Sequence, residues 1–302
     1  MGRKSHHPVC DQDESRRLKL TTIADSNAFR DSNRVLPQHQ AALTLLQGRL
    51  SVPGVPRHSW LDLACGRGQI IASLKANLSS EARAKIEYWA YDLDQDFARE
   101  TRKTAERLGF ASLQTRIGDL SDFDRIVPSS TLFDFITLTN TIHEIEPTRL
   151  ATLLVNCVGR LTPTGSLFIY DMEKIKPPEL GAVPWDRDDI RRIVLRMLDA
   201  LGASNYRPEV GLWHHSTCNG WNVQLERQHL GAAREEVMAR SPDAVRRTRE
   251  EISELLRGRL VGCRASLETL TMYGAETAEE QENKERLLYE FWSLSRALER
   301  TA

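Results

Sequence analysis

The sequence predicts an α/β protein in which a mostly parallel sheet is covered by helices on both faces. Short apolar runs alternate with helical repeats of apolar residues from about Trp60 to Leu201. A glycine-containing turn, Cys65-Gly66-Arg67-Gly68, lies between the first apolar run and the first helical pattern. Near residue 210 the pattern changes, and two strand-like segments flank Asn219-Gly220, a strong hairpin signal. These observations predict a doubly wound, seven-stranded, mostly parallel sheet that ends in an antiparallel hairpin.

The elements are predicted from their periodicity and from turn and cap residues. Five parallel strands are expected at 60–64, 88–91, 113–117, 133–138 and 167–170, and hairpin strands at about 210–217 and 221–225. Apolar residues at 70, 71, 74 and 78 predict a single helix after the glycine turn. Asp186 is the expected N-cap of a helix near 190–201. Towards the C-terminus, Ser241-Pro242 and the capping box Thr277-x-x-Glu280 are expected helix starts.

Changes in composition divide the chain into four segments. Residues 1–20 are polar and predict a disordered tail, and 21–56 form an N-terminal helical cap. Residues 57–230 hold the sheet, and 231–302 form a C-terminal helical extension. An apolar stripe on the last helix, Leu287, Phe291, Leu294 and Leu298, either covers the surface of the same domain or contacts a protein partner or a second copy.

Charge and cysteine content restrict the class of protein. With 41 Lys and Arg against 42 Asp and Glu in 302 residues, the net charge gives no indication of a nucleic-acid or membrane partner. The five cysteines are far apart and form no CxxC pair, which is typical of a reduced, cytoplasmic protein. No apolar run is long enough to span a bilayer. No metal site is predicted, because His6, His7 and Cys10 lack a fourth ligand nearby.

The glycine turn indicates which nucleotide is bound. A dinucleotide fingerprint needs a third glycine, and Ile71 stands at that position, which argues against NAD or FAD. The stretch from Asp62 to Gly68 instead resembles motif I of class I S-adenosylmethionine-dependent methyltransferases, with Ala64 at the position of the usual first glycine. The resemblance runs from roughly Trp60 to Gln228. It implies S-adenosylmethionine as the cofactor and S-adenosylhomocysteine as the product.

The resemblance also assigns cofactor contacts at the carboxyl ends of the strands. Asp62, Gly66 and Gly68 are expected to hold the methionine end, and Asp92 the two ribose hydroxyls. Asp119 is expected at the adenine amino group, with Leu120 near the ring. The full set of predicted cofactor-binding residues is Asp62, Ala64, Gly66, Gly68, Asp92, Leu93, Asp119, Leu120 and Asn140.

The predicted catalytic residues follow the fourth strand. Asn140-Thr141-Ile142-His143-Glu144 is similar to the Asn-x-x-His-His or His-Asp segment of small-molecule methyltransferases. In the plant-type O-methyltransferases the histidine of His-Asp is the general base. A reactive sulfonium methyl requires mainly alignment of the acceptor and removal of its proton, and a histidine suits proton removal near neutral pH. His143 is therefore the candidate base, oriented by Glu144 or Glu146. The alternative is that His143 caps the next helix or lines the pocket passively.

Besides a nicotinamide dehydrogenase, which the missing third glycine disfavours, the sequence leaves three functions open. The first is methyl transfer to an oxygen or nitrogen atom of a small molecule. The second is methylation of a protein or an RNA that is recruited through the C-terminal helices. The third is a non-catalytic scaffold or regulatory subunit that binds S-adenosylmethionine.

Overall fold

The computed structural model describes residues 37–175, 179–214, 219–274 and 277–300. The predicted tail at 1–20 and residues 21–36 of the predicted cap segment lie outside these ranges. Within them, no helix has both the length and the apolar character needed to cross a membrane.

A seven-stranded sheet in the order β3-β2-β1-β4-β5-β7-β6 forms the centre of the protein. The first five strands are parallel, and β7 runs antiparallel to both β5 and β6. The predicted architecture is therefore confirmed. The strands are β1 His58–Leu63, β2 Ile86–Asp92, β3 Ser112–Ile117, β4 Phe133–Thr139, β5 Leu161–Met172, β6 Val210–His214 and β7 Asn219–Glu226.

Ten α-helices are described within these ranges, and three 3₁₀ turns accompany them. The 3₁₀ turns are Leu120–Asp122, Ile142–Glu144 and Arg227–Leu230. The helices are α1 Pro37–Leu50, α2 Gln69–Ala72, α3 Leu74–Asn77, α4 Ser80–Arg83, α5 Gln95–Leu108, α6 Phe123–Ile126, α7 Pro147–Gly159, α8 Arg187–Ala200, α9 Arg234–Tyr273 and α10 Ala278–Glu299.

Two apolar clusters cover the two faces of the sheet. Because successive side chains of a strand point to opposite faces, Trp60 of β1 joins one cluster and Leu61 joins the other. The first cluster includes residues of α1, α2, α3 and α5. The second includes residues of α7, α8, α9 and α10. Helices on both faces leave the carboxyl ends of the parallel strands free to carry a site.

The C-terminal helices extend the second face. The long helix α9 lies against α7, α8 and α10. The apolar stripe of α10 packs into the same cluster, with Leu294 fully buried, so the stripe covers this chain's own core. The predicted capping box is confirmed, because the Thr277 side chain accepts from the Glu280 N–H and the Glu280 carboxylate accepts from the Thr277 N–H.

Two helix predictions were wrong at their ends. The pattern after the glycine turn forms two short helices, α2 and α3, that are separated at Ser73, whose hydroxyl donates to the Ile70 carbonyl over 2.8 Å. Pro242 does not start a helix but lies inside α9. A proline inside a helix costs roughly 3 kcal/mol. The buried face of α9, which includes Val237 and Ala244 on either side of Pro242, packs well enough to offset that cost.

The hairpin prediction was right in topology and wrong in the position of the turn. Asn219 and Gly220 are the first residues of β7 and pair with His214 and Trp213. Residues 215–218, which connect β6 to β7 in sequence, lie outside the described ranges. A Cβ on Gly220 would lie 2.4 Å from the hydroxyl oxygen of Tyr170 on β5. Gly220 is thus needed for close packing against the neighbouring strand.

Candidate active site

The turn after β1 adopts left-handed backbone at three positions. The φ angles are 54° at Ala64, 54° at Gly66 and 80° at Gly68. A Cβ on Gly68 would lie 3.1 Å from both Ile71 Cγ1 and Thr101 Oγ1, so this glycine also permits close packing. Ala64, in contrast, adopts a conformation that costs an L-residue about 1–2 kcal/mol.

Asp62 lies inside β1 and joins three strands. Its carboxylate accepts a hydrogen bond from the Tyr88 hydroxyl of β2 and another from the Thr137 hydroxyl of β4, both at 2.7 Å. Burial raises the pKa of Asp62 to about 6, although the two hydroxyl donors lower it and Asp92 raises it further. Both carboxylate oxygens already accept hydrogen bonds from the neighbouring strands, which supports a structural role for Asp62 at the start of the turn. The predicted contact of Asp62 with the methionine end stays a prediction.

Asp92 ends β2 and connects that strand to the glycine turn. One carboxylate oxygen accepts from the Gly66 N–H at 2.8 Å, and the other accepts from the Asp94 N–H at 2.9 Å. Burial raises the pKa of Asp92, while these two backbone donors lower it and the charges of Asp94 and Glu144 raise it. Each carboxylate oxygen can accept a second hydrogen bond, so Asp92 keeps capacity for two hydroxyl groups.

Asp94, the neighbouring acid, is engaged elsewhere. Its side chain accepts from the Asp96 and Phe97 N–H groups at 2.7 and 3.2 Å and so caps the N-terminus of α5. This separation of roles favours Asp92 as the ligand-binding acid.

Apolar side chains remain exposed at the ends of β2 and β3. Leu93 is 41% exposed and Ile117 is 46% exposed, whereas Leu120 is partly buried against the core. Asp119 caps the 3₁₀ turn at Leu120–Asp122: one of its carboxylate oxygens accepts from both the N–H and the hydroxyl of Ser121. Exposed apolar residues beside a carboxylate are suitable for an aromatic base that carries an amino group.

Asn140 follows β4 in a left-handed conformation with φ of 53°. Its N–H donates to the Tyr170 carbonyl of β5 at 2.9 Å. Asparagine tolerates this conformation better than most residues. Asn140 thus begins the turn that carries His143.

A buried acid on β5 holds His143. The Nδ1 atom of His143 lies 2.7 Å from one oxygen of Asp171, and the His143 backbone N–H donates to the other oxygen at 2.9 Å. His143 is 4% exposed and Asp171 is fully buried. When the carboxylate accepts from Nδ1–H, the free lone pair of the neutral ring lies on Nε2.

Two further carboxylates face Nε2. Oxygens of Glu144 and Glu179 each lie 3.8 Å from it, too far for a direct hydrogen bond. Burial lowers the pKa of His143, but the charge and hydrogen bond of Asp171, together with the charges of Glu144 and Glu179, raise it more, so the net shift is upward. Ligand atoms of His143, Glu144 and Glu179 lie within 4.8 Å of one another, a spacing that a divalent cation could also use. A chelator control is therefore needed in experiments on this group.

Comparison with known proteins identifies the domain. Residues 61–167 match the model of a family described as "Methyltransferase domain". The magnesium protoporphyrin IX methyltransferase from Synechocystis PCC 6803, solved with S-adenosylhomocysteine, has a similar fold at a TM-score of 0.50 and 13% identity. That match covers 72% of this chain and 100% of the other. Residues 61–167 therefore form a methyltransferase domain, and the sheet that contains them has the class I methyltransferase fold.

Two further solved structures are similar to the methyltransferase domain and its surroundings. The 1,6-didemethyltoxoflavin-N1-methyltransferase from Burkholderia thailandensis has a TM-score of 0.48 at 17% identity, covering 73% of this chain and 92% of its own. An rRNA methylase from Streptococcus thermophilus has a TM-score of 0.42 at 16% identity, covering 64% and 98%. A sequence comparison with curated proteins found no match.

The methyltransferase domain brings the predicted residues to one edge of the sheet. Strand β1 and its two neighbours, β2 and β4, are parallel, so their carboxyl ends lie at the same edge of the sheet. The predicted residues of these three strands lie near the carboxyl end of their strand or directly after it. A methyltransferase domain of this fold uses S-adenosylmethionine as its cofactor. The specific contacts of each residue with the cofactor stay predictions.

Sequence reasoning missed two acids that lie near His143. The acid that orients His143 is Asp171, rather than Glu144 or Glu146. Glu146 instead lies 3.2 Å from Arg300 near the C-terminal end of α10. The rule that strand-end acids line the site could have found Asp171, because it follows Tyr170 near the end of β5. The second missed residue, Glu179, lies outside regular structure and had no such signal.

Proposed function

We propose that this methyltransferase transfers the methyl group to an oxygen or nitrogen atom of a small molecule, with His143 as the proton acceptor. The observation that carries the proposal is the buried His143–Asp171 pair, whose Nδ1 contact of 2.7 Å directs Nε2 away from Asp171. Glu144 borders the same position. In this proposal it helps to orient the acceptor.

The strand ends fit the cofactor that this domain class uses. Asp92 has spare hydrogen-bonding capacity for the ribose hydroxyls, and Leu93 and Ile117 offer exposed apolar surface for the adenine. We propose that Asp119 and Leu120 border the adenine, and that the turn around Ala64, Gly66 and Gly68 holds the methionine end. When bound, S-adenosylmethionine supplies an electrophilic methyl group on a sulfonium centre.

The residues of this chain then act on the acceptor. Nε2 of His143 would take the acceptor proton, and bound S-adenosylmethionine would supply the methyl carbon that replaces this proton, with the electron pair of the C–S bond left on sulfur. Asp171 stabilises the imidazolium that results. General-base assistance of this kind contributes about 10²–10⁴-fold to a rate.

The surroundings of Nε2 favour a small acceptor that still carries its proton. Nε2 is reached between two carboxylates whose side chains are only 19% and 17% exposed. Anionic acceptor groups such as carboxylates or phosphates would be repelled at this position. The burial of His143 and of these two carboxylates also favours a small molecule over a folded protein or an RNA helix.

Labelled methyl transfer tests the proposal. The protein is incubated with S-adenosylmethionine carrying a labelled methyl group and with separate small-molecule, protein and RNA fractions of a cell extract, each with and without chelator. We expect label in the small-molecule fraction with the wild type and a large loss with His143→Gln, while S-adenosylhomocysteine still binds the variant. Label in the protein or RNA fraction would contradict a small-molecule acceptor. An unchanged rate for His143→Gln would contradict the role of His143.

A further inference from the structure

The segment between β5 and α8 connects the candidate acceptor site to the C-terminal helices. Its described residues are 173–175 and 179–186, and the second part runs from Glu179 to Asp186, the cap residue of α8. It contains no helix or strand. Its conformation is therefore determined by contacts with the rest of the chain.

On one side the segment contacts His143. The Val183 N–H donates to the His143 carbonyl at 2.8 Å. The Glu179 carboxylate lies 3.8 Å from His143 Nε2 and is mostly buried, with 17% of its side chain exposed. The segment thus brings a carboxylate to within 3.8 Å of the nitrogen that is proposed to take the acceptor proton.

On the other side the segment is bound by α9 and α10. The Ser293 hydroxyl of α10 accepts from the Gly181 N–H at 3.1 Å, and Ser293 is 3% exposed. Arg259 of α9 donates to the Pro184 carbonyl at 2.7 Å and forms an ion pair with Glu290 of α10 at 2.8 Å.

The Ser293 contact is the one nearest to Glu179. Gly181 lies two residues after it in a left-handed conformation with φ of 87°. The Ala182 N–H also donates to the Glu179 carbonyl at 3.2 Å, which closes a tight turn over these residues. A hydrogen bond to Gly181 therefore fixes a turn that has Glu179 at its first position.

We propose that Glu179 is a further acceptor-site residue and that Ser293 is a positioning residue, which holds the Glu179 carboxylate opposite His143 Nε2. The C-terminal helices thereby complete the acceptor side of the methyltransferase. The assignment of Glu179 to the acceptor rests on the proposed function, whereas its position relative to His143 can be measured without turnover.

The test is a proton titration of His143 by NMR. The full chain is labelled on histidine, saturated with S-adenosylhomocysteine and kept in chelator, and the His143 signal is assigned by its loss in His143→Gln. The charged groups that face this ring are Asp171 on β5, Glu144 on its own 3₁₀ turn and Glu179 on the segment. Glu179→Gln removes one negative charge, so we expect the His143 titration to move to lower pH.

The Ser293 variants separate positioning from a general structural effect. We expect Ser293→Ala to move the titration in the same direction as Glu179→Gln but less far, and Ser293→Thr, which keeps the hydroxyl, to restore it. Ser266→Ala is the matched control, because Ser266 is an exposed serine of α9 whose hydroxyl bonds only to the Gly262 carbonyl of the same helix. It should titrate as the wild type does.

Two results would overturn the proposal. If Glu179→Gln left the titration unchanged, Glu179 would not face His143; if Ser293→Ala titrated as the wild type while Glu179→Gln shifted, Ser293 would not position it. Should Ser293→Ala not fold, hydrogen exchange at the Gly181 amide of the wild type tests the contact, because an amide bonded to the Ser293 hydroxyl must be protected. Fast exchange at this amide would overturn the role of Ser293. Failure of the wild type to bind S-adenosylhomocysteine would instead refute the proposed function. In that case the His143 titration can still be recorded in the absence of S-adenosylhomocysteine.

Discussion

Replacement of Asp92 by asparagine should strongly weaken cofactor binding. The carboxylate is proposed to accept from two ribose hydroxyls while it also accepts from the Gly66 and Asp94 N–H groups at 2.8 and 2.9 Å. A hydrogen bond to a charged group contributes about 1.5–3 kcal/mol net. Asparagine keeps one acceptor oxygen and loses the charge, so we expect a loss of about 2–4 kcal/mol, or roughly 30- to 1,000-fold in Kd.

The matched control is Asp94→Asn, two residues away. Asp94 caps α5, and asparagine is as good an N-cap as aspartate. The Asp94→Asn variant should therefore keep the unfolding temperature of the wild type, and its Kd for S-adenosylhomocysteine should change by no more than a few-fold. Isothermal titration of S-adenosylhomocysteine into the wild type and both variants provides the comparison, with thermal unfolding as a check of the fold. Equal affinities for wild type and Asp92→Asn, or a larger loss for Asp94→Asn, would refute the assignment of the ribose to Asp92.

Four further predictions concern the turn, the hairpin and two titrating groups. Ala64→Gly should raise the free energy of unfolding by about 1 kcal/mol, because it relieves a left-handed alanine with φ of 54°; chemical denaturation that showed a loss would contradict this. Gly220→Ala should destabilise the protein by about 1–3 kcal/mol, because the added Cβ would lie 2.4 Å from the Tyr170 hydroxyl oxygen; an unchanged denaturation midpoint would argue against close packing there. Burial raises the pKa of Asp62 to about 6, so this carboxyl binds a proton more tightly in the folded state. The free energy of unfolding of the wild type should therefore rise by up to about 3 kcal/mol relative to Asp62→Asn as the pH falls from 7 towards 4. Parallel stability profiles of the two proteins would contradict this. Finally, His143 must be neutral to accept a proton and its pKa is raised above 6.5, so kcat/KM should rise with pH through that pKa, and a flat profile between pH 6 and 8 would exclude His143 as the base.

The acids at the strand ends could be predicted because their positions follow from local sequence patterns. Asp92 follows a short apolar run, and the rule that ligands lie beyond the carboxyl ends of parallel strands needs no long-range information. The separation of Asp92 from Asp94 was predictable for the same reason, since an acid at the start of a helical pattern acts as a cap.

The acceptor side could not be predicted to the same extent, because its contacts join distant parts of the chain. His143 and Asp171 are 28 residues apart in sequence, and Gly181 meets Ser293 over 112 residues. Nothing in the sequence near Glu179 indicates that it faces His143. Pairings of this kind are produced by tertiary packing and not by local propensity.

The errors in element ends have the same origin. Pro242 was predicted to start a helix because proline is unfavourable inside one, but the packing of the buried face of α9 compensates for that cost. Gly220 belongs to a dipeptide that usually forms a turn, yet it is needed here for the approach of Tyr170. In both cases a neighbouring element overrode a local preference.

The most direct measurement of the central claim is a crystal structure of the full chain with S-adenosylhomocysteine. We expect the nucleoside to lie across the carboxyl ends of β1, β2 and β4, with both ribose hydroxyls within hydrogen-bonding distance of Asp92 and the sulfur facing His143 Nε2. A product bound elsewhere, or a ribose without contact to Asp92, would contradict the account.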